Sequence, residues 1–297
     1  MTQQTPFMDF GPDHRPKPCT WAEYAELISH GMYINRKYNV MALLKACMDW
    51  TVDSSGCPGI WKVFPPEKFR PEEILNLKSI ITVQIISLAY ELTENLAAIC
   101  YAYAEAIDHG VQYFPLLIRD YGLPKPTLKK NYDANIIDVD CASARRFYDD
   151  VVANPDVLKR YIGEVSIANA DLDAFTDKFR RLLDFRNRFD RWYNKYKHAH
   201  ATIPVSVGGT TAGVPFEWHI IHRVPDYLTR FDSQVEIKEQ VLPPDLKLNT
   251  VPTIENKSFL SAMELVNYAG ATGQSVLKIW RAVRNTQHLN LFGKTPD

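Results

Sequence analysis

Asn187, Arg191, Asn194 and His198 fall at i, i+4, i+7 and i+11 within the stretch Asp177 to His200, DKFRRLLDFRNRFDRWYNKYKHAH. On a helix that spacing aligns two amides, a guanidinium and an imidazole along one face, where they can converge on a single ligand. The stretch holds eight lysines and arginines against three aspartates, a local charge of +5 in a chain whose total is −1. Positive charge gathered on one element attracts polyanions. The same polar line also fits the solvated back of a helix whose other side is core.

That core side is predicted by Leu182, Phe185, Phe189, Trp192, Tyr196 and Ala199, apolar positions three and four apart. A partner helix is expected from Pro71 to Ile107. Its seam of Ile81, Ile85, Leu88, Leu92, Asn95, Ile99, Ala102 and Ala106 alternates spacings of four and three, the repeat of helices packed lengthwise. Asn95 is the one amide in that seam. It reads either as a register-setting hydrogen bond, with Glu91 or Glu94 as ion partners for Arg186, or as a supporting group for the Arg191/His198 line.

These residues resemble the signature of the all-helical HEPN ribonucleases, an arginine followed after four to six residues by a histidine on one helix; here six residues separate Arg191 from His198. The resemblance covers under half the chain. It implies a homodimer in which two motif helices face one another and cleave RNA without a metal or cofactor. His198 would then serve as general acid or base at the ribose 2′-hydroxyl and the leaving oxygen, and Arg191 would hold the scissile phosphate. Asn194 or Asn187 would orient the phosphate or imidazole. Arg186, Arg188, Lys195 and Lys197 would guide the RNA strand, and Tyr193 would stack on a base. The family usually has a small polar residue directly after the arginine, whereas Trp192 stands there in this chain, and an Arg–Asn pair occurs instead at Arg186 and Asn187.

Two other function classes fit the same residues. A non-enzymatic helical interaction protein would use the polar face to bind a protein partner or close a dimer. A metal-dependent enzyme would use His198, His200, His219 and His222, yet an H-x-H pair on a helix points ~200° apart and an H-x-x-H pair in a strand points to opposite faces, so no site holding all four is expected. The glycines of VGGTTAGVP lack the GK[ST] ending of a phosphate loop, and no serine sits in a GxSxG elbow.

At 297 residues and 46% hydrophobic content the chain can bury a large core, and its near-zero net charge confines any nucleic-acid contact to the basic helix. Five widely spaced cysteines without a CxxC read as reduced thiols of a cytoplasmic protein. No signal peptide is read at the N-terminus. The apolar window from Ser79 to Tyr90 is shorter than the ~20 residues of a membrane span.

The expected fold is mainly α, a helical bundle with a small antiparallel β-meander near the C-terminal third. Residues 1–19 form a Pro-rich lead-in, 20–201 a helical core domain, 202–241 the meander, and 242–297 a loop and a helix packing on the core. Within this scheme Thr20-x-x-Glu23 caps a first helix, a helix over 111–121 breaks near Pro115, the third strand is 234–241, and the last helix begins near Lys257.

Overall fold

The computed structural model describes residues 20, 23, 32–51, 68–121, 144–163, 169–197, 202–206, 215–223 and 250–293, with backbone placement alone for the strands before Ser261. The order is α1 (Met32–Trp50), α2 (Pro71–His109), α3 (Tyr113–Arg119), α4 (Ala144–Ala153), α5 (Pro155–Ile162), α6 (Asn169–Tyr196), β1 (Thr202–Ser206), β2 (Pro215–Arg223), β3 (Thr250–Ser261) and α7 (Ala262–Phe292). The helical character expected from the periodicity is present.

Helix starts follow from side chains that satisfy the first backbone N–H groups. At Thr20 the backbone N–H donates to Glu23 Oε2 at 2.7 Å while the Glu23 N–H donates to Thr20 Oγ1 at 3.2 Å, the reciprocal box predicted there. Ser261 and Glu264 repeat the arrangement at the head of α7, at 2.7 and 3.3 Å. The last helix therefore begins at Ala262, not near Lys257. Asn154 caps α5 by accepting from the Asp156 N–H, with Pro155 at the first helical position. Pro115 lies in the first turn of α3, where it costs no helical hydrogen bond, so no break occurs there.

The β part of the expected fold needs correction. A meander confined to residues 202–241 is not supported: residues 234–241 lie outside the described residues, and the strand paired with β2 is 250–261, a stretch expected to be loop and helix. Strands β1 and β2 pair antiparallel with His219 opposite Ile203, and β2 pairs antiparallel with β3, where Pro252 stands opposite Ile221. Among the described strands, Pro204 and Pro252 sit in the two outer ones and Pro215 opens the central one, positions where a missing N–H is tolerated.

The chain forms two units. In the first, described residues 32–35, 95–121, 144–163, 169–179 and 278–293 pack an aromatic cluster in which Phe147 meets Tyr148, Tyr161 and Phe179 edge-on, with ring centroids 5.0–5.8 Å apart. The end of α7 lies parallel to α2 here. Gln287 Nε2 donates to the Tyr161 carbonyl at 2.9 Å, and Asn290 Nδ2 donates to the Tyr103 hydroxyl at 2.7 Å. Burial pushes the Cys100 thiol up to about 12, so this cysteine is an inert core residue. Gly163 ends α5 at φ 86°, and a Cβ there would lie 2.9 Å from both Thr286 Cγ2 and the Tyr103 hydroxyl.

The second unit takes described residues 36–51, 68–94 and 180–197, the three strands, and α7 up to Leu277. Here α2 and α6 run antiparallel, as Gln84 bonds Tyr196 at 2.8 Å and Thr93 bonds Arg186 at 2.9 Å. Leu92, Phe185, Phe189 and Trp192 are all buried, as the seams require. Tyr268 on α7 closes over Phe185 and Phe189 with centroids 5.3 and 6.3 Å away. Beside them α1 and α7 approach closely at Gly273, where a Cβ would meet the tip of Met41 at 2.0 Å and Leu92 at 3.3 Å.

Among the described residues, α2 is the one helix long and apolar enough to cross a membrane by length and composition. Half of its most apolar window is buried inside the protein, and the same helix carries Gln84 and Tyr90, which bond Tyr196 and Arg186 of α6.

Candidate functional site on helix α6

Helix α6 reaches Tyr196 without interruption, and its 28 residues span about 42 Å. Its apolar side is wider than the expected seam. Leu182, Phe185, Arg186, Phe189, Trp192 and Tyr193 are all buried, so the stripe toward the core also takes in Arg186 and Tyr193. Asn187 and Asn194 are exposed on the opposite side. Arg180, seven residues before Asn187, is exposed on the same line and extends it by two turns.

Arg191 and Lys195 occupy backbone positions within α6, and His198 and His200 lie outside the described residues. Arg188 and Lys197 are exposed. The Arg188 guanidinium lies 5.5 Å from the centroid of the Tyr268 ring, and Lys197 Nζ lies 5.9 Å from that of Tyr193. Asp173, Asp177 and Asp184 are exposed among Arg180, Arg181 and Arg188, so the outer face carries both signs.

Two residues assigned to RNA contact occupy the interior instead. Arg186 is 4% exposed and donates through Nη1 to Thr93 Oγ1 and through Nη2 to the Tyr90 hydroxyl, both at 2.9 Å. Glu94 Oε1 stands 3.7 Å from Nη2, which is the ion partner proposed for Arg186 under the packing alternative. Tyr193 is also buried and stacks on Tyr90 with centroids 4.2 Å apart, leaving no face for a base. The physical reason is position: Arg186 lies four residues after Leu182 and three before Phe189, and Tyr193 continues that row.

The Tyr90 ring is the centre of this cluster. Its hydroxyl donates to Asp190, its face carries the Arg186 guanidinium 4.3 Å from the centroid, and its carbonyl accepts from Thr93 Oγ1 at 2.6 Å. Burial raises the Tyr90 phenol far above its ordinary value, against the pull of Arg186, and Asp190 adds to the rise. Burial likewise raises Tyr193, with Glu91 and Glu94 reinforcing it and its hydroxyl bonded to Glu91. Both phenols stay protonated donors. Desolvation also raises Glu94, although Arg186 and Lys197 oppose that shift. Lys37 Nζ on α1 pairs with Glu91 at 2.6 Å.

Asn95 belongs to the other unit, is half-buried, and its Nδ2 is enclosed without a hydrogen-bond partner among the described residues. Also among the described residues, no group of three or more His, Cys, Asp or Glu side chains could hold a metal ion. His219 and His222 lie in β2 opposite Ile254 and Val251.

The sequence reading missed Tyr90, Thr93 and Asp190. Their signal was present in the spacing: Tyr90, Thr93 and Glu94 lie at i, i+3 and i+4 on α2, and Arg186, Asp190 and Tyr193 at i, i+4 and i+7 on α6. Compared with protein-family models, curated proteins and solved structures, the chain matches none of them.

Proposed function

We propose that the C-terminal end of α6 carries an RNA-cleaving site of the HEPN type, with Arg191 and His198 as the reacting pair and two copies of the chain forming the cleft. The observation that carries this reading is the exposure of Asn187 and Asn194, which flank the Arg191 position on a helix held firmly by its other side. In this reaction His198 takes the proton of the ribose 2′-hydroxyl, whose oxygen attacks the adjacent phosphorus. The 5′-oxygen leaves and receives a proton, and the strand ends in a 2′,3′-cyclic phosphate. Arg191 neutralises the charge that grows on the phosphoryl oxygens, and Asn194 or Asn187 orients the phosphate. Arg188, Lys195 and Lys197 draw the strand in.

The test is cleavage of single-stranded RNA by the purified chain without added metal. His198→Ala and Arg191→Ala should each abolish it while leaving thermal stability within about 1 kcal/mol. Retention of full activity in either variant removes the assignment.

A different observation favours a non-enzymatic interaction protein. Val40 and Leu43 on α1 are 48% and 57% exposed and stand three residues apart, an exposed apolar pair in the second unit. The mixed charges on α6 suit a protein surface better than a phosphate backbone. Absence of RNA cleavage, together with self-association or partner binding lost in Leu43→Glu, would select this reading.

A further inference from the structure

We propose that Tyr90 is a positioning residue for the site at the end of α6, acting as a polar knob that fixes the roll and the height of the turn bearing Arg191. This inference rests on the cleavage reading for its consequence in catalysis, and on geometry alone for its mechanical part.

Arg186, Phe189, Asp190 and Tyr193 stand at i, i+3, i+4 and i+7, the four corners of a hole on a helix surface. Three of the four contact the Tyr90 ring. Tyr193 stacks on it with planes 23° apart, the Arg186 guanidinium lies over it, and Asp190 accepts its hydroxyl, which also accepts from Arg186 Nη2. An apolar knob in such a hole resists translation but tolerates small rotations. A ring held by stacking and by two directional hydrogen bonds at its tip tolerates neither. Gln84 repeats the grip further along by donating to Tyr196 at 2.8 Å.

The gripped residues bracket the site. Asp190 directly precedes Arg191, Tyr193 directly precedes Asn194, and Tyr196 lies two residues before His198. A rotation of α6 by one residue step swings its side chains by about 100°, so a loosened knob turns the exposed Asn194 away from a bound phosphate. Tyr90 itself touches no substrate.

Tyr90→Phe tests this in the full chain, because it keeps the ring and the stack and deletes only the hydroxyl. The expected result is a fall in kcat of tenfold or more with KM changed less than twofold, whereas Asp190→Asn, which keeps an acceptor for the hydroxyl, should retain kcat within about threefold. Amide hydrogen exchange gives an independent readout: the amides of residues 190–197 should exchange at least tenfold faster in Tyr90→Phe, with those of 180–186 unchanged. Unchanged exchange in 190–197 overturns the proposal whatever the activity. Altered exchange in Tyr90→Phe, where the wild-type protein cleaves no RNA, retains the mechanical part and rejects the nuclease reading. Altered exchange with unchanged kcat in an active enzyme overturns the positioning role.

Discussion

Arg186 meets Tyr90 twice, through a hydrogen bond of 2.9 Å to its hydroxyl and through a guanidinium 4.3 Å from the centre of its ring. The guanidinium thus uses one neighbour's edge and face together, while Nη1 also donates to Thr93 and Glu94 lies 3.7 Å from Nη2.

Replacing Arg186 by Met should destabilise the protein by about 3 kcal/mol, the low end of the range for breaking a buried ion pair, because Glu94 keeps partial access to water. Arg186→Lys should recover only part of that loss, since an ammonium cannot bridge Thr93 and Tyr90 at once. Urea unfolding midpoints measure both, and equal stability of Arg186→Met and wild type would contradict the network.

RNA binding separates interior from exterior cations. Arg188→Gln with Lys197→Gln should lower the slope of log affinity against log salt by about 1.4, at ~0.7 per phosphate contact, whereas Arg186→Gln should leave that slope unchanged. A slope that responds to Arg186 alone would mean that this side chain reaches the strand.

Acid should weaken the caps. The backbone N–H of Arg70 on Glu73, and that of Ser261 on Glu264, hold these carboxyls below their ordinary 4.5, so the unfolded chain takes up protons first and stability is lost as the pH falls from 4.5 through the lowered values. Glu264→Gln should flatten that acid slope in a pH series of melting points. Glu94 has the opposite sign: its folded value is raised, so its contribution is present below 4.5 and is lost as pH rises through the raised value. Glu94→Gln should remove that decline.

Gly163→Ala should cost at least 1–3 kcal/mol, because φ 86° is strained for any side chain and the new methyl has Thr286 and Tyr103 at 2.9 Å. Thermal unfolding checks it. A neutral effect would mean that the α5 end relaxes freely.

The helices were legible because their apolar periods are long and their starts carry caps: Pro71, Pro155 and the Thr20–Glu23 box all mark starts in the chain itself. The burial of Phe189 and Trp192 was legible for the same reason. Arg186 was ambiguous because a helix wheel assigns a cation to the outside by type, and only its flanking Leu182 and Phe189 reveal an inward position. The pairing of the two helices and the polar rows at i, i+3, i+4 and i+7 were both present in the spacing, but which residue of one row meets which of the other depends on the register between helices some 100 residues apart, which no local spacing states. Strand β3 was obscured by Pro252 and by the charged Glu255 and Lys257, residues that suit an outer strand but weaken any alternating pattern. Ser261-x-x-Glu264 would have set the start of α7 correctly.

The meeting of Gly273 with Met41 has a consequence for how the second unit accommodates change. The nearest obstacle to a side chain at 273 is the mobile methyl end of an unbranched thioether, not backbone. Met41 therefore works as an adjustable shim between α1 and α7: an alanine at 273 pushes the shim aside, while a branched residue at 41 would make the spacing rigid. The two positions share one tolerance, and the gap between the helices is set by the pair jointly, not by either residue alone.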